Sequence, residues 1–160
     1  DDYTSLSFAL ATRDYPDPDM LSQQLNRITN QDRKKRFQFI TPALSSNLKV
    51  RDSFFKSLEL KVNRERESNV LAALYYLHHP LRQTGSIRYL SKSLIMLEEI
   101  QETGDIFFPQ NWLQSSFGSY RSKEAANIVS NFLLERPNYN PKLKAKIQQA
   151  ADNLYRSSTL

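Results

Sequence analysis

The sequence predicts an all-α fold, and three observations support this. The 160 residues include only 3 glycines, far below the usual share of about 7%. Long stretches are rich in Leu, Ala, Lys, Gln, Glu and Arg, which favour helices. Apolar residues recur at spacings of three and four along most of the chain. We therefore expect about seven helices, arranged as antiparallel hairpins that stack into a short superhelix of the HEAT or armadillo type.

The first half of the chain is expected to contain three helices and the start of a fourth. The first helix, from Tyr3 to Arg13, ends before the cluster DYPDPD, because prolines disfavour helical backbone in the residues before them. Asp17 and Pro18 predict the start of a second helix, which Pro42 ends or kinks. The predicted apolar faces are Leu21, Leu25 and Ile28 in the second helix and Val50, Phe54, Phe55 and Leu58 in the third.

The second half continues the helical pattern. A fourth helix, over residues 67–78, is apolar nearly all round and is expected at the centre of a packed array. A fifth helix runs from Gly85 to Gly104, with Gly104 in the left-handed conformation that glycine adopts without steric cost. The remaining helices are expected at residues 110–117, ending at Gly118, from Ser122 to Pro137, and from Asn140–Pro141 onward.

Helix pairs begin near Pro18, Glu67 and Pro109, at spacings of about 42 to 49 residues. Two-helix solenoid units of the HEAT or armadillo type have a similar length. The spacing therefore favours stacked hairpins in one domain covering residues 1–160, and the N-terminal pattern indicates a fragment of a longer chain whose other parts lie upstream.

The stretch TGDIFFPQNWL, residues 103–113, contains the only tryptophan of the chain and two adjacent phenylalanines. We interpret this aromatic segment as a structural joint, in which Gly104 ends one helix and Pro109 begins the next. Phe107, Phe108 and Trp112 are expected to pack between successive hairpins, since large aromatic faces fix the angle of one unit on another.

Catalytic motifs do not occur in the sequence. The two histidines, His78 and His79, are adjacent, so on a helix they cannot hold one metal as an i, i+4 pair does. We expect them to finish a helix, where an imidazole interacts well with exposed carbonyls. The chain has no cysteine, glycine-rich phosphate loop or nucleophile elbow. We therefore expect no enzymatic activity and no cofactor in this chain by itself.

Charge and hydropathy argue against two classes of partner. The net charge is +5, and the basic run at residues 32–36 has no interleaved aromatic residues for stacking on bases, so nucleic acid is not an expected partner. The longest strongly apolar run, residues 70–77, is far shorter than the roughly 20 residues that span a bilayer. We expect no membrane insertion, and the N-terminus lacks the pattern of a signal peptide.

Several stretches resemble the C-terminal region of bacterial aminopeptidase N-type zinc metallopeptidases. They are residues 24–45, 50–58, 70–83, 97–113 and 141–156, and the most specific are LHHPLR and EIQETGDIFFPQNWL. The resemblance implies an upstream catalytic domain with a HExxH zinc motif, none of whose metal or catalytic residues has a counterpart here. It also implies a helical domain that covers the active-site chamber and restricts access to peptides. Its implied partners are the catalytic domain of the parent chain and the peptide substrate.

Five residues are candidates for contacts with substrate or with the catalytic domain: Arg33, Arg36, His78, His79 and Arg82. The arginines are the candidates for holding the carboxylate end of a peptide. An alternative is a free-standing helical-repeat scaffold that binds a protein or peptide in its concave face. The absence of cysteine is compatible with export of a bacterial parent and does not establish it.

Overall fold

The structure, a computed structural model, describes residues 2–158. Within that range it contains eleven α-helices and no strand, so the all-α prediction is confirmed. The helices are α1 (Asp2–Thr12), α2 (Met20–Arg27), α3 (Gln31–Leu44), α4 (Leu48–Ser57), α5 (Glu67–Leu77), α6 (Gln83–Ser86), α7 (Tyr89–Ile95), α8 (Leu97–Thr103), α9 (Phe108–Phe117), α10 (Lys123–Leu134) and α11 (Pro141–Ser158). Two short 3₁₀ helices occupy Lys61–Arg64 and Pro80–Arg82. Two compact units meet in the sequence after Arg82.

The second predicted helix is in fact two helices, α2 and α3. Ile28 has extended backbone, with ψ of 113°, and ends α2. Asn30 then caps α3, because its side-chain oxygen accepts a hydrogen bond from the backbone N–H of Arg33 at 3.0 Å. Pro42 lies in the last turn of α3, which ends two residues later. The break follows from a capping asparagine inside a sequence whose apolar spacing is continuous.

The start of α2 also differs from the prediction. The helix begins at Met20 rather than at Pro18. The carboxylate of Asp17 accepts a hydrogen bond from the backbone N–H of Asp19, at 3.0 Å. Asp17 therefore closes a local turn, as Asp commonly does, instead of capping the helix.

The fifth predicted helix is divided into α6, α7 and α8. Met96 ends α7 and precedes α8 with backbone angles of −73° and −11°, which are nearly helical. Its N–H donates to the carbonyl of Lys92 and its carbonyl accepts from the N–H of Ile100, both at 3.0 Å. Gly104 ends α8 as predicted, but the left-handed conformation is wrong, because its backbone is extended with φ of −101° and ψ of 177°.

Three predicted helix ends are confirmed in the second unit. Ser122 caps α10 by accepting from the N–H of Ala125 at 3.2 Å. The side chain of Asn140 accepts from the N–H of Lys142 at 3.0 Å at the start of α11. Gly118 is the C-cap of α9. These positions carry short polar side chains or glycine, the residues that satisfy or tolerate helix ends.

The core of the first unit centres on α3, which packs against α1, α4 and α5. The rings of Phe8 and Phe37 lie 4.8 Å apart between α1 and α3. The predicted apolar face of α4 needs one correction: Val50 is 39% exposed, whereas the neighbouring Arg51 is only 5% exposed. The fully buried apolar side chains of this unit include Ile40, Ala43, Leu44, Leu58, Val70, Ala73, Leu74 and Leu77.

The core of the second unit is built where α11 packs on α9 and α10, and α7 on α9 and α10. Trp112 is completely buried, and its indole N–H donates to the carbonyl of Ser93 at 3.2 Å. Phe108 meets Trp112 edge to face, with ring centroids 6.0 Å apart. Phe107, however, is 69% exposed, so the expectation that it packs with the other two aromatics is wrong. Phe107 immediately precedes the first residue of α9, and its side chain lies outside the buried face of that helix.

Candidate functional site

The basic run at the start of α3 forms the first group of candidate residues. Arg33 and Arg36 line one cavity of about 220 Å³. Arg36 donates to the side-chain oxygen of Asn69 at 2.7 Å and to the carbonyl of Ser68 at 3.2 Å, which ties α3 to the start of α5. Arg33 is exposed. Both arginines are exposed, and Arg36 in addition joins α3 to α5 through these hydrogen bonds.

His78 is a buried side chain at the end of α5. It is 1% exposed, and its backbone N–H donates to the carbonyl of Leu74 at 2.9 Å. Burial lowers the pKa of His78 from 6.5 to about 3, because an imidazolium would lose its hydration. His78 is therefore neutral at physiological pH, and it finishes α5 as expected, at the C-cap position.

His79 takes part in a local turn. Its Nδ1 accepts a hydrogen bond from the backbone N–H of Leu81 at 3.3 Å. Burial, followed by the positive charges of Arg13 and Arg82, holds the pKa of His79 below its usual value. An imidazole in this position is suited to accepting a hydrogen bond and poorly suited to carrying charge.

Arg82 lies inside the first unit. It is 8% exposed and forms a two-point ion pair with Asp14: Nη2 donates to Oδ1 at 2.5 Å and Nη1 to Oδ2 at 2.9 Å. Nη2 also donates to the carbonyls of Ala11 and Leu44, at 3.3 and 3.2 Å. Arg82 therefore joins the ends of α1 and α3, and its charge is used within the unit.

Asp14 has an unusual environment on both its backbone and its side chain. Its φ is 55°, the only positive φ of a non-glycine residue in the described part of the chain. Asp tolerates this conformation better than most residues. The hydrogen bond from Arg82 lowers the pKa of Asp14 most strongly, and the charges of Arg82 and Arg51 lower it further. The carboxylate of Asp14 is thus kept ionised chiefly by Arg82, with a smaller contribution from the charge of Arg51.

Arg51, on α4, is a candidate that the sequence analysis missed. It is 5% exposed, and its Nε and Nη1 have no hydrogen-bond partner within residues 2–158. Its charge acts on Asp14. A signal for its burial was present, since Arg51 stands three, four and seven residues before the buried residues Phe54, Phe55 and Leu58.

A cavity of about 460 Å³ in the first unit is lined in part by Asp14, while neither Arg51 nor Arg82 is among its lining residues. Its size falls within the usual range for small-molecule sites. The other lining residues include Asp17, Met20, Leu21, Thr41, Ser45, Ser46 and Val50. It shares no lining residue with the cavity at Arg33 and Arg36. Arg33 and Arg36 thus line one cavity, and Arg82 pairs with Asp14, which lines the other.

The exposed part of the aromatic segment lies in the second unit. Ile106 and Phe107 are 70% and 69% exposed. The ammonium of Lys146, on α11, donates to the side-chain oxygen of Gln101 at 3.2 Å and lies 3.5 Å from the carbonyl oxygen of Ile106. The segment is thus held to α11 while two apolar side chains face solvent.

Neither a search for metal-binding groups nor comparison with known proteins adds candidate residues to the functional site. Among residues 2–158 no three His, Asp or Glu side chains are grouped so that they could hold a metal ion. Of the helices in that range, none combines the length and the apolar character needed to cross a bilayer. Comparison with protein-family models, curated proteins and solved structures gave no match. The functional argument therefore depends on the residues of this chain.

Proposed function

We propose that this chain is the non-catalytic C-terminal helical domain of an aminopeptidase N-type zinc metallopeptidase, an enzyme that releases N-terminal amino acids from peptides. The domain covers the active-site chamber and restricts it to peptide substrates. The observation that carries the proposal is the sequence resemblance, which is most specific in LHHPLR and EIQETGDIFFPQNWL.

The structural roles of these two motifs support the proposal. In the first, Arg82 joins the ends of α1 and α3, and in the second, Trp112 fills the core beneath α7. The motif residues with the most distinctive chemistry are thus used for packing, which suits a rigid cover. Zinc is proposed for the catalytic domain of the parent, as the resemblance implies.

A HEAT-like arrangement is the finer part of the proposal. The packing of α3 on α4 and α5, and of α11 on α9 and α10, supports hairpins as the building units. The spacing of helix pairs in the sequence agrees with such units. Stacked hairpins form concave surfaces, which a chamber cover and a free-standing scaffold use in the same way.

The identity of the parent is tested by the coding sequence upstream of this chain. A HExxH motif followed by a distant glutamate would support the peptidase, because these residues supply zinc ligands and a general base. A stop codon or an unrelated domain there would favour the alternative, a scaffold that binds a protein or peptide partner.

A biochemical test uses the chain alone. We expect it to release no amino acid from aminoacyl chromogenic substrates and to bind no zinc tightly. Turnover that persists through successive purification steps and follows the protein peak would contradict the proposal.

The substrate contact is tested at Arg33, which is exposed on α3. In the full-length parent, Arg33→Glu is expected to raise KM for longer peptides and leave KM for dipeptides unchanged, because only a longer peptide would extend its carboxylate to α3. Lys35→Glu is the matched control, since it reverses the same charge at an exposed position of the same helix. Equal KM values for Arg33→Glu and the parent would remove Arg33 from the proposal.

A further inference from the structure

The smaller cavity of the first unit, at Arg33 and Arg36, combines two positive charges with an apolar wall. Its volume is about 220 Å³, below the range of about 300–1,000 Å³ of most small-molecule sites, so it has room for one small group. Three of its lining residues are apolar and at most 9% exposed: Phe8, Ile28 and Phe37. The two arginines are exposed. The apolar wall therefore lies deeper than the charged residues.

The positive charges of this cavity have no anion beside them. Thr4 is the only other lining residue, so among residues 2–158 no carboxylate lines the cavity. Within the same range Arg33 forms no ion pair or side-chain hydrogen bond, and Arg36 donates only through Nη1, to uncharged acceptors at the start of α5. The neighbouring acid on α3, Asp32, pairs with Arg66 at 3.4 Å. Residues three apart on a helix are neighbours, and like charges there repel. An anion between the two arginines would relieve this repulsion.

We propose that this cavity binds a small carboxylate attached to an apolar group. The guanidinium of Arg33 and the remaining N–H groups of Arg36 hold the carboxylate, since a planar guanidinium matches the two carboxylate oxygens. The apolar group lies against the deeper wall. A free organic acid and the C-terminal residue of a peptide share this chemistry. The site itself requires only the first unit, whereas a peptide as its natural ligand rests on the proposed function.

Isothermal titration calorimetry on the full chain tests the two parts of the ligand separately. Sodium phenylacetate carries both parts, sodium acetate lacks the ring, and phenylacetamide lacks the charge. Sodium chloride keeps the ionic strength equal, because charge effects at exposed groups respond to salt. We expect saturable binding of phenylacetate, at least about ten-fold tighter than that of either other probe. Phenylacetate heats that do not saturate, or equal affinity for acetate or phenylacetamide, would overturn the proposal.

A peptide probe distinguishes the two sources of the carboxylate. N-acetyl-alanyl-phenylalanine presents the same ring and carboxylate at a peptide terminus. Tighter binding of this peptide than of phenylacetate assigns the site to a peptide C-terminus, and equal or weaker binding assigns it to a free acid. The C-terminal amide of the peptide should bind at least about ten-fold more weakly than the acid. Equal affinity of acid and amide would contradict a role for the carboxylate. Failure of every probe would remove this site and leave the chamber-covering role to the upstream coding sequence.

Variants on α3 assign the binding to this cavity. Arg33→Met removes one charge at an exposed position, and we expect phenylacetate binding to weaken about ten-fold or more with an unchanged circular dichroism spectrum. Arg33→Lys keeps the charge and loses the planar fork, so it should lose only part of the affinity. Lys35→Met is the matched control, because Lys35 is exposed on the same helix and does not line the cavity. Full affinity in Arg33→Met, or an equal loss in Lys35→Met, would refute the assignment.

Discussion

The buried imidazole of His78 should make the first unit less stable in mild acid. Its folded-state pKa is about 3, against about 6.5 for an exposed histidine. Below pH 6.5 the unfolded chain binds a proton that the folded chain excludes, so stability rises with pH. The contribution is fully present above pH 6.5 and is lost as the pH falls toward 3. One pKa unit corresponds to about 1.4 kcal/mol, so we expect a loss of about 2 kcal/mol at pH 5.

Urea unfolding between pH 5 and 7, followed by circular dichroism at 222 nm, measures this loss. His78→Gln keeps a polar side chain that does not titrate, so the free energy of unfolding should lose most of its pH dependence. His79→Gln is the control. The pKa of His79 is lowered in the same direction as that of His78, but His79 is only partly buried, so this variant should retain most of the slope. Asp14 does not interfere, since the hydrogen bond from Arg82 lowers its pKa further from this pH interval.

Two results would refute this reasoning. One is a wild-type free energy of unfolding that stays constant from pH 7 to pH 5. The other is a His78→Gln variant whose slope equals that of the wild type, which would place the titrating group elsewhere. A nitrogen-15 NMR titration gives a direct reading, because the ring of His78 should remain neutral at pH 5 while an exposed histidine becomes protonated.

Three further predictions concern the second unit, each measured by urea unfolding followed by circular dichroism. Trp112→Ala should lower the free energy of unfolding by about 3–5 kcal/mol, the usual cost for a buried large aromatic. Phe107→Ala, at an exposed position, is the control and should change it by less than about 0.5 kcal/mol. Equal losses in the two variants would contradict the assigned packing. Gly118→Ala should cost about 1–3 kcal/mol, because a Cβ there would lie 2.6 Å from the carbonyl oxygen of Gln114; an unchanged midpoint would show that the backbone relaxes. Tyr139→Phe should be neutral or stabilising, since the buried hydroxyl has no hydrogen-bond partner within residues 2–158; a loss above about 1 kcal/mol would reveal a partner.

Local signals in the sequence were sufficient for the helical fold and for several helix ends. Ser122, Asn140 and Gly118 were correctly placed because capping depends on one side chain and its nearest backbone groups. The break before α3 was missed for a related reason. Asn30 is also a capping residue, but the apolar spacing on either side continues across it and indicated one helix. At this position the apolar spacing correctly indicated helix, whereas the boundary between the two helices was set by the capping side chain of Asn30.

The candidate site was less predictable, because charge was used as a sign of exposure. Arg82 and His78 were proposed as contact residues, yet both are buried, and the two terminal nitrogens of Arg82 donate to Asp14 and two backbone carbonyls. The partner Asp14 lies 68 residues away in the chain. No local pattern reveals a pairing of that length, since it depends on how the helices pack.

Arg51 shows how such a residue can nevertheless be recognised on one helix. At about 100° per residue, Phe54, Phe55 and Leu58 all lie within about 60° of Arg51, whereas Val50 lies about 100° away from it. Burying three large apolar side chains contributes several kcal/mol, of which about 1.5–3 kcal/mol comes from each. Rotating α4 to bury Val50 fully would move part of the face formed by Phe54, Phe55 and Leu58 toward solvent. Arg51 is therefore buried together with these three residues. A charged residue at the centre of an apolar helix face is therefore a pattern that predicts its own burial.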